Sequence, residues 1–115
     1  MRLTTDFWVS ALTRRTFDTG GFAAVERRGA AEAGAVFVTV RDRFGGIALY
    51  GPAPQASYDD KRPLDRLFTP LLGGAEASEI ERRLAREQKF DPDMWVVDIE
   101  PGQVPIEELL DLAKP

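Results

Sequence analysis

The sequence predicts an α+β domain, a mostly antiparallel sheet of four to five strands with about three helices packed on it; a three-layer α/β/α sandwich is the alternative. Three observations carry this expectation. Val36, Val38 and Val40 alternate with Ala35, Phe37 and Thr39, and a turn containing Gly45 and Gly46 leads into a second apolar run, the pattern of a β-hairpin. Ser78 and Glu81 stand at the spacing of a helix start, with Ile80 and Leu84 on one helical face and Pro92 beyond the end. Trp95, Val97 and Ile99 then alternate as a further strand. A chain of 115 residues with this mixture reads as one domain.

Taken in order, Thr4 or Thr5 can cap a helix in which Trp8, Ala11 and Leu12 follow helical spacing, and Gly20 and Gly21 stop it. Phe7, Val9 and Ala11 also alternate, so helix and strand both remain open over residues 5–18. Residues 22–28 form a short strand ended by Gly29. Residues 35–42 are apolar on both faces, which marks a central, buried strand, and residues 47–50 return as the second arm of the hairpin. A Pro/Gly/polar loop over 51–63 follows, too short to separate domains. Residues 66–69 read as a short edge strand, because Pro70 has no N–H for a ladder, and Gly73 and Gly74 come next. A helix then runs from the Ser78/Glu81 capping box to about Phe90, with a Glu79–Arg83 pair on its outer surface. Residues 94–100 are a strand, Pro101 and Gly102 turn the chain, and Pro105 opens a last helix over 105–113. That helix has Glu107 and Glu108 at its positive end and Ile106, Leu109, Leu110 and Ala113 as its apolar stripe.

Composition closes several kinds of chemistry. With no histidine and no cysteine, the chain cannot build a Ser-His-Asp or Cys-His site, a thiolate nucleophile, a zinc finger or a disulfide scaffold. Carboxylates, hydroxyls, twelve arginines and three lysines remain. No cofactor or metal is expected. Residues 1–58 carry seven basic and five acidic side chains and residues 59–115 carry eight and fourteen, so only the first half could face an anion. The net charge of -4 argues against a general nucleic-acid binder, whose affinity comes from phosphate neutralisation. No apolar run reaches membrane-spanning length and the first residues lack the pattern of a secretory signal, so the expected location is cytoplasmic.

Four constellations bear on function. Asp98 and Glu100 project from one face at a strand end and could share a magnesium ion, with Asp91 and Asp93 nearby; no lysine accompanies the pair, as a magnesium nuclease would need. The plainer reading makes Asp98 and Glu100 the solvated side of a half-buried strand and Asp91 and Asp93 turn residues around Pro92. Paired arginines at 14/15, 27/28 and 41/43, with Gly29 and Gly34 in the loop between strands, could cradle an anion, although strand neighbours point to opposite faces. Ser57 and Lys61 have the spacing of a dyad but fall in a loop beside Asp59 and Asp60, where a solvated lysine is a poor base. Tyr50, Pro52 and Pro54, with Tyr58 beyond, can present rigid apolar surface to a partner.

Several short motifs occur in one order: Trp8-Val9-Ser10-Ala11 with Arg14-Arg15, Gly21-Phe22, Arg27-Arg28-Gly29, Ala33-Gly34-Ala35, Leu49-Tyr50-Gly51-Pro52-Ala53, and Phe90-Asp91-Pro92-Asp93 with Trp95-Val96-Val97. On these the chain resembles the small bacterial family catalogued as domain of unknown function number 1491, over most of its length to about Glu100. The resemblance implies a small stand-alone cytoplasmic protein of α/β type. It brings no reaction, ligand or catalytic residue with it.

The residues favour a non-enzymatic binding or adaptor domain for an unidentified protein partner, with Tyr50, Pro52 and Tyr58 as its contact surface and Arg28 and Arg41 beside it. The rival is a small-anion or metal-dependent binding protein or enzyme using Arg28 or Arg41 with Asp98 and Glu100. A third expectation is a weak homodimer through a sheet edge or the last helix.

Overall fold

The computed structural model describes residues 4–54 and 66–113. Helix α1 is Thr5–Asp18, and Thr4 is its cap: the threonine hydroxyl accepts the Phe7 N–H at 3.2 Å. This bond decides between helix and strand, because it satisfies a first-turn donor that only a helix leaves free. Val9 and Leu12 are buried and the Thr16 hydroxyl donates to the Leu12 carbonyl at 2.8 Å. The helix ends where Gly20 takes φ +81°, and the Gly21 N–H reaches the Thr16 carbonyl at 2.9 Å.

Among the described residues six strands form one sheet: β1 (Phe22–Arg27), β2 (Val36–Arg41), β3 (Ile47–Pro52), β4 (Leu67–Ala75), β5 (Trp95–Glu100) and β6 (Asp111–Leu112), in the order β1-β5-β2-β3-β4-β6. The sheet is mixed rather than mostly antiparallel, and it has more than the four to five strands expected. Three ladders are antiparallel (β1 with β5, β2 with β3, β3 with β4), while β5 runs parallel to β2 and β6 parallel to β4. The cause is the return of the chain through helix α2 (Ala77–Phe90), which lets β5 enter between β1 and β2.

The expected short edge strand at 66–69 is instead the nine-residue β4, an internal strand between β3 and β6. Pro70 is tolerated because the β3–β4 register slips on either side of Leu49. These irregularities open the ladder beside the residue that cannot donate.

Both faces of the sheet are covered. Val9 and Leu12 of α1 join Val36, Val38, Phe68, Trp95, Val97 and Ile99 in one core, closed by Ile106, Leu109 and Leu110. The opposite core contains Phe37, Ile47, Leu49, Ala75, Ile80, Met94 and Val96. Helices on both sides correspond to the three-layer alternative. Helix α2 is the thin side of this arrangement, since Ile80 is its one buried residue.

Two terminal features differ from expectation. Helix α2 starts at Ala77 with Glu76 at the cap position and no side-chain cap bond, so Ser78 lies inside the first turn and no capping box forms. Arg83 pairs with Glu87 at 2.8 Å rather than with Glu79. The last helix, expected over 105–113, is the single turn α3 (Ile106–Leu109). Leu110 turns extended, β6 pairs with β4, and the Ala113 N–H donates to the Phe68 carbonyl at 2.8 Å. Docking on the sheet edge supplies hydrogen bonds that a frayed terminal helix would lack, and the apolar stripe is buried against the core.

Candidate functional site

The residues singled out in the sequence separate onto different faces. Arg28 follows β1 on the α1 side, where it contacts Asp6 at 3.2 Å and lies 5.0 Å over the Trp95 ring. Arg41, at the end of β2, lies on the α2 side. The two arginines therefore do not converge on one anion.

The glycine loop between β1 and β2 is filled by its own chain. A side chain at Gly29 or Gly34 would overlap the Asp93 carbonyl oxygen, which accepts the Ala30 N–H at 3.0 Å. The Trp95 indole N–H donates to the Ala30 carbonyl at 2.8 Å, and Arg27 donates to the Pro92 carbonyl at 2.9 Å. Asp91 is a turn residue, as expected: its carboxylate accepts the N–H groups of Ala35 and Asp93 at 2.9 and 3.0 Å. Gly29 and Gly34 thus allow close backbone approach to the 91–95 turn.

Tyr50 packs against the α1-side core; burial holds its hydroxyl above the usual tyrosine range, with Glu107 adding to the shift. Pro52 is exposed at the end of β3. Tyr58, Ser57 and Lys61, with most of the 51–63 loop, lie outside the described residues.

Asp98 corrects the expectation of a solvated carboxylate. Because β5 is a central strand, Asp98 lies between Ala24 of β1 and Thr39 of β2 on the face that α2 crosses, and it is only 8% exposed. Its Oδ1 accepts the Thr39 hydroxyl at 2.7 Å and its Oδ2 accepts Arg41 Nε at 3.0 Å. The pair holds Arg41 above its usual range, first through the hydrogen bond and charge of Asp98, with Glu100 and Glu26 adding smaller effects. Glu100 stays exposed one turn of the pleat further on. Among the described residues no group of three or more carboxylates is placed to hold a metal ion.

Two of the clefts that border α2 bear on function. The first, of about 240 Å³, has an apolar floor of Ile47, Val96, Ile80 and Leu84, and Glu26, Glu81, Thr39, Arg41 and Asp98 as its polar lining. The second, of about 320 Å³, lies between Phe37, Pro52 and Leu71 of the sheet and Arg83, Glu87 and Phe90 of the helix. Phe90 is 84% exposed at its rim. In the sequence Phe90 marks only the end of a helix; that it stands off the Ile80/Leu84 stripe was the available signal for an outward-facing ring.

The family of proteins of unknown function DUF1491 matches residues 3–106 of the chain. The chain belongs to the DUF1491 family. The match closes at Ile106, where α3 begins, so it takes in both clefts and the glycine loop. The solution structure of a protein from A. tumefaciens is similar at 50% identity and a TM-score of 0.83, covering 100% of this chain and 98% of that one. The crystal structure of a DUF1491 family protein from Caulobacter crescentus CB15 shares 37% identity with a TM-score of 0.69 over 87% of each chain. An NMR structure of a DUF1491 family protein from the same organism shares 32% identity with a TM-score of 0.76 over 99% of each. No curated protein matches.

Proposed function

We propose that this DUF1491 protein is a non-enzymatic binding domain that docks a protein partner in the groove between Pro52 and Phe90. The observation that carries this is the Phe90 ring, left 84% exposed over a groove whose walls are Phe37, Leu71 and Pro52. Water in contact with this much apolar surface is displaced favourably by a partner's apolar side chain, and aromatic residues beside a pocket are the usual anchors of protein interfaces. Pro52 adds a rigid wall with little entropy to lose. Tyr50 supports this strand from the opposite face, and the Arg83–Glu87 pair supplies a polar rim. The test is quantitative capture of interacting proteins by the wild type and by Phe90→Ser. An exposed ring contributes little to folding, so the variant keeps its stability within about 0.5 kcal/mol and loses the partner; equal capture by both proteins overturns the reading.

A second reading has its own observation. Among the described residues strand β1 pairs only with β5, and Phe17, Phe22 and Val25 beside this edge are 49%, 51% and 42% exposed, which favours a weak homodimer through β1.

A further inference from the structure

We infer that the cleft bounded by Glu26, Glu81 and Asp98 receives a lysine side chain from a protein partner. This stands on a different cleft from the Phe90 groove and does not depend on it. The floor, Ile47 and Val96 from the sheet with Ile80 and Leu84 from α2, suits a four-carbon stem. The rim suits an ammonium head. Three carboxylates line the cleft against one guanidinium, and that guanidinium is engaged by Asp98. Glu26 and Glu81 reach it from β1 and α2 and form no ion pair among the described residues.

Asp98 itself retains capacity. A carboxylate offers about four acceptor positions, and each Asp98 oxygen accepts one bond, from Thr39 and from Arg41. The direction of the Arg41 shift agrees, since Glu100 and Glu26 as well as Asp98 favour positive charge at this spot. An anion would meet two glutamates that form no ion pair among the described residues. A compact ammonium with three rotatable donors can address carboxylates arriving from separate walls, whereas a planar guanidinium needs them in its own plane. The volume of about 240 Å³ is below that of a typical small-molecule site, about 300–1,000 Å³, and matches one inserted side chain of a larger partner.

The experiment titrates acetyl-Ala-Lys-Ala-amide into 15N-labelled protein, with norleucine and glutamate tripeptides as controls and cadaverine as a free amine. A single side chain binds in the millimolar range, so titration to about 10 mM is sufficient. The lysine peptide is expected to shift the amides of Thr39, Ile47, Leu84 and Asp98, with the norleucine peptide at least about tenfold weaker. The double variant Glu26→Gln/Glu81→Gln, altered only at exposed rim positions, weakens lysine binding by at least about fivefold, while Phe90→Ser leaves it unchanged. Equal binding of norleucine, preference for glutamate, tighter binding of cadaverine than of the lysine peptide, or no shift at these amides each overturns the inference.

Discussion

At the scale of single residues, backbone proximity separates glycines that look alike in the chain. Gly29 and Gly73 both have ordinary negative-side backbone angles. A Cβ at Gly29 collides with the backbone of Asp93 and Met94, while one at Gly73 meets nothing within 4 Å. Backbone cannot yield as a flexible side chain does. Gly29→Ala is therefore expected to cost about 3 kcal/mol, in the range of overpacked core changes, by forcing the 91–95 turn away from the Gly29 backbone. Gly73→Ala is expected to be neutral or to stabilise by about 0.4–1 kcal/mol, by reducing the freedom of the unfolded chain. Urea midpoints of the two variants against wild type check this, and equal midpoints would contradict it. Asp98 illustrates the other side of residue-level reading. Alternation correctly placed it opposite Val97, but its burial came from its central place between β1 and β2 on the face that α2 crosses.

At the scale of elements, α2 joins a strong amphipathic pattern to a weak hold on the sheet. One buried residue, Ile80, and the partly buried Leu84 pin fourteen residues, and this narrow footing is what leaves a cleft on each flank. The helix also begins without a side-chain cap, although Glu76 has the extended angles, φ -83° and ψ 156°, that a capping residue needs. Glu76→Ser is expected to add about 0.5–1 kcal/mol by giving a first-turn N–H an acceptor, read as a raised melting temperature with the clefts unchanged. A lower melting temperature would show that the glutamate's charge near the helix start outweighs the missing hydrogen bond. The extent of α2 was legible from Ile80, Leu84 and Pro92. Its cap was not, because Ser78 and Glu81 fit the spacing while the chain enters the helix two residues earlier, and only the path out of β4 sets that entry.

At the scale of the whole molecule, the sheet has two unlike edges. Strand β6 is two residues long and leaves little to pair with. Strand β1 is six residues long, carries Phe22 and Val25 outward, and has a register irregularity between Val25 and Arg27 that shortens the usable ladder. An edge of this kind supports association of low affinity, with a Kd of about 0.1–1 mM. Light scattering across that concentration range is expected to show a rise in mass that Val25→Lys abolishes; a constant monomer mass for the wild type would remove the edge as an interface. The apolar stripe of the last helix is not free for such an interface, since Ile106, Leu109 and Leu110 are buried in the α1-side core. None of the helices among the described residues is long and apolar enough to cross a membrane.

Read by itself, the sequence determined the class of domain, the β2–β3 hairpin, the two-sided burial of residues 36–39 within the expected 35–42 strand, the extent of α2 and the exclusion of histidine and cysteine chemistry. Each of these depends on residue type or on periodicity within about a dozen neighbours. Tertiary structure alone decided that β5 enters between β1 and β2, that the terminal stripe docks as one helical turn and a short strand, and that Arg28 and Arg41 part company. It also decided which residues share a cleft. Glu26, Thr39, Glu81 and Asp98 meet across as many as 72 positions of chain, and nothing local in any of the four specifies the others. Periodicity assigns a side chain to a face, whereas strand order and the packing of a helix across that face assign it its neighbours.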